Sequence, residues 1–230
     1  MSLKLIVGNK NYSSWSMRPW IGLRAAGIPF EDEVIPLYVD AETKARITAY
    51  SPAGKVPILI DGQGADAVRV WESLAILEYA SERFREVHLW PSDTKARAHA
   101  RAISTEMHSG FAALRNECGM NMWRPPAKKE LSADARANIA RIQEIWTEAR
   151  AKYGAEGPFL FGKFTAADAM YAPVVSRFET YAIDVSAPVR AYMEAMIALP
   201  AWQEWRRAAL KEHWVIAAYE ESPDAPRLKA

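Results

Sequence analysis

The spacing of hydrophobic and polar positions differs between two parts of this chain. Up to residue 84, short apolar runs alternate with stretches of helical spacing, and a polar, glycine-containing turn at 61–64 separates two of the runs. This pattern predicts a small sheet with helices between its strands. The predicted strands cover residues 3–7, 31–37, 56–60 and 67–70. The predicted helices cover 17–26, with Ser16 as the N-cap, then 41–49 and 72–84.

From Thr94 onward the spacing is helical, with no convincing strand pattern. Ile139, Ile142 and Trp146, for example, recur at three- and four-residue intervals and would share one buried helix face. The order of strands and helices before this point is that of a thioredoxin-like domain. The predicted fold class is therefore an α/β thioredoxin-like N-terminal domain plus an all-α C-terminal helical domain. The predicted boundaries are 1–84 for the first domain, 85–93 for a linker and 94–230 for the helical domain.

The residues around Thr165 predict one further helix start. Thr165 precedes an apolar run, and Asp168 stands three residues later, where a carboxylate can return a hydrogen bond to the cap residue. This spacing predicts a capping box inside the helical domain. Its role would be structural.

Composition narrows the possible functions. The 230 residues include 29 basic and 28 acidic side chains, a net charge of +1, so a nucleic-acid-binding protein with a strong basic excess is not expected. Cys118 is the only cysteine, and the four histidines show no metal-binding spacing, so no metal is expected. No apolar run is long enough for a membrane helix, and the first residues do not form a signal peptide, which favours a cytoplasmic protein.

The first candidate for chemistry is the pair Val56-Pro57. A proline that opens a strand often follows a cis peptide bond in a tight turn. Such a turn would leave the Val56 backbone N–H and C=O free to pair with an extended peptide ligand. An ordinary X-Pro turn without a ligand is the alternative.

The second candidate is Glu72-Ser73, at the predicted start of a helix. The free N–H groups and positive end of a helix dipole can hold a ligand carboxylate, with the Ser73 hydroxyl as a further donor. Glu72 could hold an ammonium group beside it. This corner would suit the two charges of an amino-acid head group. A routine helix start is the alternative.

The third candidate is Ser13-Ser14, just before the first helix. Their hydroxyls could cap the helix, which is the commoner use, or donate to a thiolate and lower the pKa of the thiol. No Gly-x-Ser-x-Gly sequence surrounds either serine, so a serine hydrolase is not expected.

Together these motifs resemble the cytosolic glutathione transferase family. The motifs are Pro52-x-Gly54-Lys55-Val56-Pro57, then Glu72-Ser73, and Phe161-Gly162-x-x-Thr165-x-Ala167-Asp168 in the helical part, so the resemblance covers nearly the whole chain. It implies that Val56 and Pro57 bind the cysteinyl backbone of glutathione. It also implies that Glu72 and Ser73 hold the γ-glutamyl end, and that Lys44 or Lys55 meets the glycyl carboxylate.

The same resemblance assigns the catalytic position. Counted back from Gly27, Ser13 falls where serine-type classes such as zeta and tau place their serine, with Ser14 or Tyr12 as further candidates. Ser13-Ser14-Trp15-Ser16 is similar to the zeta-type Ser-Ser-Cys-Ser, but Trp15 replaces the cysteine. This replacement argues against a maleylacetoacetate-type isomerase and against omega-type thiol chemistry.

The resemblance implies a glutathione transferase that activates the glutathione thiolate for attack on a small hydrophobic electrophile, a detoxification chemistry with glutathione as co-substrate. The alternatives are a glutathione-dependent isomerase or dehalogenase on the same fold, and a noncatalytic ligand-binding relative. The family is usually dimeric, so a homodimer is expected, without nucleic-acid or membrane partners. The expected walls of the electrophile pocket are Trp15, Met107, Phe111 and Trp123.

Overall fold

The computed structural model describes residues 3–38, 40–220, 222 and 224–229. Its first part contains β1 (Leu3–Val7), α1 (Ser14–Ala25), β2 (Glu31–Val34), α2 (Thr43–Tyr50), β3 (Ile58–Asp61), β4 (Val68–Trp71) and α3 (Ser73–Arg83). Its second part contains α4 (Thr94–Ser109), α5 (Ala112–Glu117), α6 (Ala133–Tyr153), α7 (Ala166–Thr180), α8 (Ala187–Ala198) and α9 (Pro200–Leu210). The strand pairings found after residue 94 are isolated bridges within 159–163.

The sheet has the mixed order that a thioredoxin-like domain requires. Its strands lie in the order β2-β1-β3-β4, with β1 parallel to β2 and antiparallel to β3, and β3 antiparallel to β4. The central strands are the most apolar: Leu5, which faces Leu59 in the register, is fully buried. The predicted fold class, an α/β thioredoxin-like domain followed by an all-α domain, is confirmed.

The first helix begins earlier than its sequence suggests. Ser13, not Ser16, is the N-cap of α1, and its Oγ accepts a hydrogen bond from the Ser16 N–H at 3.4 Å. The Ser16 hydroxyl instead lies inside the helix and accepts from the Gly8 N–H at 3.0 Å. The prediction of Ser16 as N-cap is therefore wrong, because this hydroxyl holds β1 and α1 together.

Other predicted boundaries also shift. The third and fourth strands begin at Ile58 and Val68 rather than at residues 56 and 67, so Val56 lies outside the sheet. The second strand ends at Val34, just before Pro36, which cannot donate to a sheet ladder. The second helix starts at Thr43, whose N–H donates to the Asp40 carboxylate at 2.7 Å. The third helix starts at Ser73 after Glu72, which takes a positive φ of 69° and so lies outside the helix.

Helix α1 packs against both parts of the protein. It contacts α3 of the first part and α7 and α9 of the second. Trp20 of α1 meets Trp205 of α9 edge-on, with ring centres 5.2 Å apart, and both indoles are almost fully buried. The N-terminal end of α1 is thereby held at the junction of sheet and helices.

The predicted capping box at the start of α7 is present. The Asp168 carboxylate accepts from the Thr165 N–H at 2.8 Å and from the Leu160 N–H at 3.0 Å. Asp168 is fully buried, and burial raises its pKa to about 6 although these hydrogen bonds favour the charged form. It therefore fixes the loop before α7 as well as the helix itself.

Candidate functional site

A cavity of about 640 Å³, here the large cavity, opens at the N-terminal end of α1. Segments from the whole length of the chain form its walls: the start of α1, the loop and helix around α2, the turn before Pro57, α5, α7 and a segment after α9. Its lining includes Tyr12, Ser13, Ser14, Trp15, Lys44, Lys55, Val56, Arg115, Arg177, Ile216 and Tyr219.

A smaller cavity of about 280 Å³ lies beside it. Trp15, Lys55 and Val56 line both cavities, so the two lie side by side. Pro57, Trp71, Glu72 and His108 complete the smaller one. The backbone motif around Pro57, the corner at Glu72 and the two serines therefore border adjacent cavities, although they are far apart in sequence.

Both serines at the start of α1 are nearly buried, and each has a partner. The Ser13 hydroxyl donates to the Ser16 Oγ at 2.8 Å, while the Ser14 Oγ accepts from an Arg177 NH₂ group at 3.2 Å. A hydroxyl rotates to suit its partners, so the Ser13 hydrogen can turn toward an anion while Ser16 donates to Ser13. The chain of bonds from the Gly8 N–H through Ser16 to Ser13 would then end at the cavity.

The Val56-Pro57 peptide bond is cis. Val56 precedes β3, and within the described residues no backbone hydrogen bond involves its N–H or C=O. The Val56 backbone is thus available to an extended ligand, as an added strand would require.

The corner at Glu72 and Ser73 differs in part from expectation. Glu72 is half exposed, with its carboxylate 3.7 Å from His108 Nε2, and it remains accessible to a ligand. The Ser73 side chain is not, because it is fully buried and its hydroxyl donates to the Trp15 backbone carbonyl at 2.8 Å. The expectation that the Ser73 hydroxyl binds the ligand is therefore corrected. Only the Ser73 backbone N–H, in the first turn of α3, remains for the expected contact with a ligand carboxylate.

The two candidate lysines are exposed. Lys44 on α2 and Lys55 before Pro57 both line the large cavity, and Lys55 also lines the smaller one. Either ammonium can reach an anion in the cavity.

Three of the expected electrophile walls are corrected. Met107, Phe111 and Trp123 are almost completely buried and line neither cavity. Met107 and Phe111 belong to the main core, and the Trp123 indole donates to the Ala209 carbonyl at 2.8 Å. The spacing of apolar residues alone could not distinguish side chains that line a cavity from side chains that pack in the core. Trp15, the fourth, does line both cavities.

Tyr12 also lines the large cavity, but its hydroxyl is engaged. It donates a short hydrogen bond to the Glu220 carboxylate. Burial is the larger cause that raises the pKa of Tyr12, and this hydrogen bond is the second. Its ring meets Trp123 and Tyr219 at 5.6 and 5.5 Å. Tyr12 therefore serves as a wall and as an anchor for the segment after α9.

That segment, residues 211–220 (the tail segment), is tied to the loop before α1. The Glu212 carboxylate accepts from the backbone N–H groups of Lys10 and Asn11 at 2.6 and 3.0 Å. Ile216 and Tyr219 of the same segment form one wall of the large cavity. The sequence pattern held no signal for this closure, since it joins residues some two hundred positions apart.

Sequence reasoning also missed three arginines near Trp15. Arg18 of α1 is fully buried with its guanidinium carbon 4.2 Å from the Trp15 ring centre, and Arg115 of α5 lies 5.4 Å from the same ring. Arg177 of α7 is 3% exposed and reaches Ser14. Burial lowers the pKa of Arg18 to about 9 and that of Arg177 to about 10. The one signal in the sequence that could have indicated these residues is a charged side chain, Arg177, within the apolar run of α7.

Two kinds of feature are absent from the described residues. No helix there is long and apolar enough to cross a membrane. No cluster of three or more His, Cys, Asp and Glu side chains suited to a metal ion occurs in the same residues.

Two family models match the chain. Residues 12–83 match the glutathione S-transferase N-terminal domain, and residues 97–208 match the glutathione S-transferase C-terminal domain. A maleylacetoacetate isomerase from Rattus norvegicus is 30% identical over 83% of this chain and 87% of its own length. A probable maleylacetoacetate isomerase from Caenorhabditis elegans is 40% identical, but over 45% of this chain and 46% of its own length.

Solved structures show the same fold. A glutathione transferase homolog from Burkholderia GL BGR1, with bound glutathione, is 23% identical with a TM-score of 0.67, covering 91% of this chain and 98% of its own. A glutathione transferase from Methylococcus capsulatus str. Bath is 25% identical with a TM-score of 0.62, covering 90% and 98%.

Proposed function

Because the chain belongs to the glutathione S-transferase family, we propose that it binds glutathione in the two adjacent cavities and activates its thiolate for attack on an electrophile. One observation carries the proposal: the Val56 backbone, the Glu72 corner and the two serines border two adjacent cavities that share Trp15 as a wall. A tripeptide with two carboxylates, an ammonium group and a thiol matches these groups in turn.

Each group would have a defined role. The Val56 N–H and C=O would pair with the cysteinyl backbone of glutathione. The Glu72 carboxylate would hold the ammonium group of the γ-glutamyl end, and the Ser73 N–H in the first turn of α3 would hold its carboxylate. Lys44 or Lys55 would meet the glycyl carboxylate. The thiol would then lie near the start of α1.

Thiolate formation would be the step that the protein assists. Ser13 would donate a hydrogen bond to the sulfur, supported by Ser16 and the positive end of α1. Ser14 is held by Arg177 and is the second candidate donor. The thiolate then forms a bond to the electrophilic carbon, and the leaving group departs with its electron pair. The enzyme contributes more thiolate at neutral pH and proximity of the reactants.

Calorimetric titration with glutathione, combined with the ultraviolet absorbance of the bound thiolate against pH, tests this proposal. We expect binding, with a thiol pKa well below its ordinary value of about 8.5. Binding without a lowered pKa would favour a noncatalytic ligand-binding relative. Absence of binding would rule out the glutathione site.

A glutathione-dependent isomerase is the second candidate, favoured by the relatives of that name. In an isomerisation the thiolate adds to a double bond and leaves again, so glutathione is not consumed. Measuring free thiol during turnover separates the two reactions. Trp15, which stands where zeta-type sequences have cysteine, favours net transfer. We further propose a cytoplasmic homodimer, which light scattering of the purified protein will test.

A further inference from the structure

The large cavity is far more positive than the chain as a whole. Four basic residues line it, namely Lys44, Lys55, Arg115 and Arg177. Among the described residues, the one aspartate or glutamate in the lining is Asp40, whose carboxylate is engaged by Thr43 and by Arg46 at 3.2 Å. The chain has a net charge of only +1, so this concentration of cations is a local feature.

Two of these cations lie deep in the cavity, beside the serines. Arg177 is 3% exposed; its Nε donates to the Cys118 carbonyl at 2.8 Å and one NH₂ group to Ser14. Its other NH₂ nitrogen is buried without a partner. Arg115 is half-buried, donates to the His108 carbonyl at 3.1 Å and retains further donors. Fully buried Arg18 lies against the Trp15 ring, and two of its nitrogens have no hydrogen-bond partner among the described residues.

The three arginines repel one another. Arg115 lowers the pKa of both Arg18 and Arg177, and Arg177 lowers that of Arg18. The Glu72 carboxylate acts in the opposite direction on Arg18 and raises its pKa. Burying like charges without a counterion is unfavourable, so an anion bound in the large cavity beside Arg115 and Arg177 would offset their charge.

From this geometry, and resting on the glutathione site proposed above, we infer that the electrophile carries a carboxylate that Arg115 and Arg177 bind beside Ser14. A planar guanidinium matches a carboxylate with two parallel hydrogen bonds. The carboxylates of glutathione are assigned to α3 and to Lys44 or Lys55, so the arginines are left for the second substrate. The expected hydrophobic electrophile is thus refined to an anionic one.

Binding can be measured with the glutathione site already filled. The protein, saturated with S-methylglutathione, is titrated with 3-nitrobenzoate and with 3-nitrobenzamide, a neutral compound of the same shape. We expect the carboxylate to bind about tenfold or more tightly than the amide. The variant Arg115→Gln should lose this preference and keep its affinity for S-methylglutathione. Arg207→Gln, which removes an exposed cation from α9, is the matched control.

Turnover provides the second readout. With 4-chloro-3-nitrobenzoate, the glutathione thiol releases its proton to solvent, the thiolate sulfur bonds to the ring carbon that bears chlorine, and chloride leaves with its electron pair. Relative to the uncatalysed rates, kcat/KM should favour the benzoate over 4-chloro-3-nitrobenzamide, and Arg115→Gln should lower kcat/KM for the benzoate alone.

Several results would overturn the inference. They are equal binding of the two nitro compounds, an equal loss for both in Arg115→Gln, or weaker S-methylglutathione binding in that variant, which would assign the arginines to glutathione. Binding of S-methylglutathione and turnover of the amide without any carboxylate preference would leave the proposed function intact. If S-methylglutathione does not bind, the proposed function itself fails, and 3-nitrobenzoate binding to the free protein still tests the arginines.

Discussion

At the scale of single residues, the least expected feature is a set of buried cations without acidic partners. A buried charge that lacks full hydrogen bonding costs stability, and apolar replacements of similar shape are often neutral or stabilising. Arg18 is the extreme case: its Nε donates to the Met170 carbonyl at 3.1 Å, while neither NH₂ group has a hydrogen-bond partner within the part of the chain that the structure describes.

We therefore predict that Arg18→Met leaves the free energy of unfolding unchanged or raises it by up to about 4 kcal/mol. Chemical denaturation monitored by tryptophan fluorescence measures this. The control is Arg207→Met, which removes an exposed charge and should change stability by less than about 0.5 kcal/mol. A clear loss of stability in Arg18→Met would show that the buried guanidinium is more fully compensated than its contacts indicate.

Ser13 combines a structural and a proposed catalytic role, and substitutions can separate them. Ser13→Ala removes the helix cap and the proposed thiolate donor. We expect a loss of about 1 kcal/mol in stability, a higher pKa of bound glutathione and a fall in kcat of about 10²-fold. Ser13→Thr keeps a hydroxyl and should retain a lowered thiol pKa. The ultraviolet titration of the glutathione complex distinguishes the variants.

An unchanged thiol pKa in Ser13→Ala would transfer the donor role to Ser14. The same titration of Ser14→Ala would then show the raised pKa. If neither variant shifts the pKa, direct activation by a serine is excluded.

At the scale of helices and strands, features that depend on residues close together in the sequence were predicted well. The capping box of α7 depends on residues three positions apart, and its sequence pattern sufficed. The cap of α1 could not be chosen among Ser13, Ser14 and Ser16 in the same way. The choice depends on the Gly8 N–H, a partner from β1 that requires the Ser16 hydroxyl.

The same difference between short-range and long-range features applies to the residues of the site. The turn at Val56-Pro57 and the helix start at Glu72 are short-range features, and the sequence indicated both. Arg177 joins the cavity because α7 packs against α1, a contact between distant segments. Likewise, periodicity indicates that Met107 is buried but not whether it meets a ligand or the core.

We predict that Asp168→Asn destabilises the protein by about 1–3 kcal/mol. The amide cannot accept hydrogen bonds at all positions where the buried carboxylate receives the Thr165 and Leu160 N–H groups. Thermal unfolding by circular dichroism measures the change. Asp134→Asn, an exposed acid in the first turn of α6, is the matched control and should change stability by less than about 0.5 kcal/mol. Equal effects of the two substitutions would contradict a specific role for the capping box.

At the scale of the whole molecule, the tail segment closes the large cavity against the loop before α1. Glu212→Gln should weaken this closure, because the side-chain NH₂ group would face one of the two backbone N–H groups that donate to the two carboxylate oxygens. We expect faster hydrogen exchange at Lys10 and Asn11 and a loss of about 1–3 kcal/mol in stability.

The control for this closure is Glu204→Gln, which breaks an exposed ion pair with Arg24 at 3.4 Å. It should have little effect, since such pairs contribute about 0–1 kcal/mol. Unchanged exchange at Lys10 and Asn11 in Glu212→Gln would mean that the tail segment is held mainly by its apolar contacts.

The bond between Tyr12 and Glu220 joins positions 208 residues apart, and it bears on how the protein matures during synthesis. Domains generally fold from the N-terminal end while translation continues. The sheet and the Val56 turn are therefore synthesised, and can form, before the wall made by Ile216 and Tyr219. A nascent chain would acquire the backbone contacts for a peptide before it could enclose a second reactant, so ligand capture would precede chemical competence.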